Sequence, residues 1–124
     1  MTREGIPKLF GLGFCKEGDP VEGGIDSSYT VVDLFDPPEL EKGYYGEKQD
    51  LWNVGVLLYF MIYGTYPFGS KFCCEYKQCR AQARFDFDEN IKVSNSCKDL
   101  IRKLLVIDPG HRLSFAEFKA HPFI

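Results

Sequence analysis

Five cysteines (Cys15, Cys73, Cys74, Cys79 and Cys97) and two histidines (His111 and His121) are the natural metal-ligand candidates in this 124-residue sequence. The stretch 73–79, CCEYKQC, places three thiols close together. That spacing is not a zinc pattern, and no second Cys or His pair stands at a useful distance, so no metal is expected. An odd number of cysteines without a secretory signal instead fits free thiols in a reducing compartment. A second set of reactive side chains, Ser27, Ser28, Tyr29 and Thr30, ends the stretch 16–30, KEGDPVEGGIDSSYT. Gly18, Pro20, Gly23 and Gly24 rule out a regular element there. The composition reads as a solvated polar loop, with phosphorylation of the four hydroxyls as the other reading.

The surrounding elements decide what such side chains can reach. Hydrophobic residues make up 44% and charged residues 27%, the balance of a globular chain long enough for one domain. Eleven Phe and seven Tyr imply a large buried area. The net charge of -3 leaves no basic footprint, so nucleic acid is not an expected partner. The N-terminus, MTREGIPKLFGLGF, has no apolar core followed by a cleavage site, which points to an intracellular, cytoplasmic protein.

Residues 50–64, DLWNVGVLLYFMIYG, read as a helix with almost no polar face. Between Leu51 and Tyr63 the only polar side chain without a ring is Asn53. The run is shorter than the roughly 20 apolar residues a bilayer span needs, so a helix wrapped by other helices is expected and a membrane is not. Asp50 stands at its mouth, where a carboxylate can accept backbone N–H bonds. Gly64 suits the position just past the last turn, and Pro67 lies beyond. Upstream, 8–15 look like a short strand, and Pro37 and Pro38 suit the start of a short helix from Glu39 to about Lys42. Downstream, 71–84 make a helix and 85–96 are irregular. Ser96 with Asp99 resembles a capping box for a helix carrying Leu100, Ile101, Leu104 and Leu105, which Asp108 and Pro109 end. Ser114 and Glu117 form an S-x-x-E box for the last helix. The fold class is mainly α, with a strand remnant at the N-terminus.

The order of these signals resembles the C-terminal half of a eukaryotic protein kinase domain. PPEL, then DLWNVGVLLYFMIYGTYPF, then KDLIRKLLVIDPGHRLSFAEFKAHPFI follow the family's A-P-E, D-x-W-x-x-G-V, G-x-x-P-F, D-P-x-x-R and H-P-F/W. The closing segment is most similar to serine/threonine kinases of the calcium/calmodulin-dependent or Unc-51-like kind. The resemblance implies that residues 1–124 are a partial kinase domain, with a degenerate activation segment over 8–48 and large-lobe helices over 49–124. It also accounts for the wetless helix, which in this family is the central helix of the larger lobe. Pro38 and Glu39 match A-P-E, and Arg112 matches the arginine that pairs with that glutamate in a buried ion pair. Asp50 matches the aspartate that anchors the catalytic loop, and Trp52 and Gly55 match packing residues of the same helix. Fold maintenance is the role expected for all five.

The same resemblance implies ATP and magnesium as the family's cofactors, and here the sequence departs. Kinases cradle ATP with a glycine-rich loop, a strand lysine paired to a glutamate, a catalytic-loop Asp and Asn, and the D-F-G aspartate. KLFGLGFCKE aligns on the last of these, and the triplet becomes Gly11-Leu12-Gly13. Gly11 has no side chain to replace the magnesium carboxylate. Val31 and Val32 replace the glycine and hydroxyl residue that precede A-P-E. No H-R-D triplet is present. The implied reading is a truncated, inactive pseudokinase fragment that needs no cofactor and acts by binding protein. Candidate partners are another kinase, the missing N-terminal half or a docking protein. The alternative is the C-terminal part of an active or formerly active serine/threonine kinase.

Overall fold

The computed structural model describes residues 5–8, 34–42, 46–69 and 75–124. The strand expected over 8–15, Lys8 apart, lies outside them, as do the 16–30 loop, Gly11, Val31, Val32 and the first residues of the 71–84 helix. The regular elements among the described residues are all helical. A 3-10 helix (Pro38–Lys42) is followed by α1 (Lys48–Tyr63), α2 (Tyr76–Ala81), α3 (Asn95–Leu104) and α4 (Phe115–Lys119).

The long apolar run forms α1. Gly64 ends it in the left-handed region at φ 69°, its N–H donating to Phe60 O at 2.8 Å. A side chain at that φ would crowd its own backbone, which is why glycine stops the helix there. The helix begins earlier than the sequence suggested. Lys48 is its first residue, so Asp50 sits inside the first turn, and no side-chain cap bond forms. The favourable charge near the helix N-terminus remains, without the capping bond.

α1 packs on α3. Leu51, Trp52, Gly55, Val56, Tyr59 and Tyr63 face inward, and α3 answers with Cys97, Leu100, Ile101 and Leu104. The helices meet at Gly55. A Cβ there would stand 2.8 Å from Leu104 Cβ and 2.9 Å from Leu105 Cδ2. Leu104 Cβ is fixed to its backbone and cannot swing aside, so the helices would have to separate. Gly55→Ala is therefore expected to cost about 1–3 kcal/mol by overpacking. Urea unfolding followed by circular dichroism measures it, and an unchanged midpoint would mean that α1 and α3 do not approach this closely.

Aromatic rings fill the other side of the core. Trp52 stacks on Phe68 at 5.4 Å, and Tyr59 contacts Tyr63, Phe85 and Phe87. The Tyr59 hydroxyl donates to Asp86 O at 2.7 Å, so this buried phenol keeps a partner, and burial pushes its pKa up. These contacts explain why α2 stops at Ala81 instead of running to residue 84. Ala83 turns left-handed at φ 46°, its N–H reaching Arg80 O and that of Arg84 reaching Cys79 O. This is a Schellman closure with alanine where glycine is usual. It sends Phe85 and Phe87 back to the core.

Two further boundaries differ from the sequence expectation. The cap of α3 is Ser94, whose hydroxyl accepts from Cys97 N at 3.2 Å, and Ser96 only meets Ser94 through their hydroxyls. Starting the helix there puts Cys97 on the buried face with Leu100 and Ile101. The helix also ends at Leu104, ahead of Asp108 and Pro109, which belong to a separate loop. The box at α4 forms as expected: Ser114 Oγ accepts from Glu117 N, and Glu117 Oε2 accepts from Ser114 N at 2.7 Å. That backbone bond holds the Glu117 carboxyl below its usual range.

Candidate functional site

Among the described residues, four polar or charged side chains are buried: Glu39, Arg80, Arg112 and His121. A buried charge is stable only when paired and hydrogen-bonded. Each of the four therefore marks a point where distant segments are fastened together.

Arg112 is the centre of the largest cluster. Nη1 donates to Glu39 Oε1 at 2.7 Å and Nη2 to Glu39 Oε2 at 3.0 Å, a bidentate pair. Nη1 also donates to Lys48 O at 2.8 Å, while Nη2 and Nε both reach Val106 O at 2.9 and 3.1 Å. All five guanidinium N–H groups are thus used. The guanidinium carbon lies 5.0 Å from the centre of the Trp52 ring. In return, Lys48 Nζ donates to Arg112 O at 2.9 Å.

The loop after α3 presents Arg112. Asp108 Oδ1 accepts from Gly110 N at 2.8 Å, and Asp108 O accepts from the N–H groups of His111 and Arg112. The bond from Gly110, with help from His111, holds the Asp108 carboxyl below its usual range. One side chain therefore joins the 3-10 helix, the start of α1 and the loop beyond α3.

A second arginine, nearer in sequence, fastens the same 3-10 helix. Arg80, on α2, ion-pairs with Glu41 and donates through Nη1 to Asp36 O at 3.2 Å. Glu41 is about half exposed, so water screens this pair more than the Glu39–Arg112 pair. The third fastening is at the C-terminus. His121 Nε2 lies 3.0 Å from Asp99 Oδ2, and His121 Nδ1 accepts from Phe123 N at 3.3 Å. Lys103 and then His121 hold the Asp99 carboxyl below its usual range.

Of the residues singled out from sequence, the structure brings Glu39, Arg112 and Trp52 into one cluster. Gly55 lies a turn along α1, at the α3 contact. Asp50 stands apart. It is exposed, and its carboxylate makes no side-chain hydrogen bond among the described residues. Gly11 lies outside those residues. Sequence reading passed over Arg80 and the Asp99–His121 pair. Tyr76 and Arg80, one turn apart and both buried on α2, carried a signal: an arginine in line with a core ring needs an internal partner. Asp99 was assigned to a cap that does not form.

Cys79 and Cys97 are free thiols, and burial pushes the Cys97 pKa up, which keeps it protonated and inert. Among the described residues, no three His, Cys, Asp or Glu side chains converge to hold a metal. No helix there is long and apolar enough to cross a membrane.

Among the described residues, a cleft and a groove border the core. A cleft of about 460 Å³ has Phe85, Phe87 and Leu105 in its wall, with Lys98 and Arg102 near the Phe87 ring and Asp86 and Glu89 on its rim. Its two positive and two negative groups balance, so it has no net charge with which to select an ion. The second, smaller groove runs along α1. It is apolar throughout and includes Leu57, Met61, Phe123 and Ile124, which are 46%, 72%, 38% and 65% exposed. Among the described residues, the helix without a polar face is thus covered on the α3 side and open along part of the other.

The whole chain, residues 1–124, matches the family model described as the protein kinase domain. The chain belongs to the protein kinase family. Its relatives include calcium-dependent protein kinase 2 of Oryza sativa subsp. japonica, 37% identical over 118 residues, covering 93% of this chain and 22% of that protein. Calcium-dependent protein kinase 33 of Arabidopsis thaliana is 34% identical over the same length, with the same coverage. The serine/threonine-protein kinase ULK3 of Rattus norvegicus is 37% identical over 121 residues, covering 94% of this chain and 25% of that protein. The chain therefore spans about a fifth to a quarter of the length of these relatives. It is serine/threonine kinase-like, and its helices are those of a kinase large lobe.

Proposed function

We propose that this kinase-family chain is a pseudokinase module that acts by binding protein and transfers no phosphoryl group. The observation that carries the reading is Gly11, which stands where its kinase relatives are expected to hold magnesium with an aspartate. Phosphoryl transfer depends almost entirely on positioning and on charge neutralisation by the metal, and glycine supplies no oxygen ligand from a side chain. ATP and magnesium are the family's usual cofactors, and at position 11 this sequence offers the metal no side-chain oxygen. Val31 and Val32 fit the same reading, since they remove the hydroxyl that a serine/threonine kinase sets against its catalytic residues. On this reading 8–48 form a degenerate activation segment and 49–124 the helical lobe that binds.

The open groove on α1 supports the binding half. Leu57, Met61 and Ile124 are exposed there, and they are the apolar side chains a protein partner would cover. The partner class is another kinase, an upstream lobe on a separate polypeptide or a docking protein. The free thiols suit a reducing, cytoplasmic setting. A second reading has one observation in its favour. The relatives are four to five times longer than the matched segment, so this sequence also fits the C-terminal part of a serine/threonine kinase. Any longer polypeptide containing it still carries Gly11, and weak or absent magnesium-dependent activity is expected of it too.

Size-exclusion chromatography with light scattering tests the binding reading. The purified chain should run as a dimer or larger assembly, and Met61→Glu, at the most exposed position of the groove, should shift it toward monomer. A monodisperse monomer with a cooperative melt would count against a binding face on α1.

A further inference from the structure

We draw no further inference here: the strongest candidate, the apolar groove along α1 lined by Val54, Leu57, Met61, Phe118, Phe123 and Ile124, is an unpartnered face, and nothing in the structure shows what covers it.

Discussion

Arg112→Ala should cost about 3–5 kcal/mol of folding stability, the range for breaking one side of a buried ion pair. The loss goes beyond one salt bridge. The substitution leaves the Glu39 carboxylate buried without its counter-charge and takes the side-chain donors from Val106 O and Lys48 O. Arg112→Lys keeps the charge but replaces a planar fork of five donors by a single ammonium, so it should recover only part of the loss. Glu39→Ala with Arg112→Ala should cost less than the two single changes added together, because no buried charge is then stranded. Urea denaturation of the four variants reads all of this. Domains of this size hold only about 5–15 kcal/mol in total, so the single variant should lose a large share of its stability. A cost for Arg112→Ala under about 1 kcal/mol would mean that the cluster does not fasten the fold.

Trp52→Ala should be comparably damaging, at about 3–5 kcal/mol. Trp52 is fully buried, stacks on Phe68 and forms the face beneath the Arg112 guanidinium. Removing the indole opens a cavity where α1 meets both the aromatic core and the ion pair. Trp52→Phe gives the informative contrast. The Trp52 Nε1 group is buried and has no hydrogen-bond partner among the described residues. An unmet buried donor costs about 1–3 kcal/mol, so phenylalanine relieves that cost while it loses ring area. Its net effect should be well below that of alanine. Trp52 is the only tryptophan, so its fluorescence reports unfolding of the parent and of the Arg112 variants directly, while circular dichroism serves the Trp52 variants. Because Trp52 touches Arg112, Trp52→Ala and Arg112→Ala together should depart from additivity. Equal losses for Trp52→Ala and Trp52→Phe would mean that ring stacking is not what the site needs.

How far the sequence could be read followed the range of each interaction. The body of α1 was legible because an unbroken apolar run closed by Gly64 and Pro67 is a local signal. The buried stripe of α3 and the Ser114–Glu117 box at α4 were legible for the same reason. Caps and ends set by tertiary demand were not. Ser94 and Ser96 are equally good caps locally, and the burial of Cys97 decides between them. α2 stops early because Phe85 and Phe87 must return to the core. Arg112 and Glu39 are 73 residues apart, a distance that periodicity cannot bridge. Only the family's motif order linked them. Asp50 shows the limit of motif matching, since it keeps its family position while its carboxylate is exposed in the first turn of α1.

The central claim is that this kinase-family lobe works without magnesium and ATP. Thermal unfolding of the purified chain over a wide range of ATP concentration, with and without magnesium, tests it most directly. A ligand that binds only the folded state raises the melting temperature in proportion to the logarithm of its concentration over Kd. The account predicts a melting temperature that does not move with magnesium and ATP. A magnesium-dependent rise would contradict it, and would mean that other residues have taken over the role that Gly11 lacks.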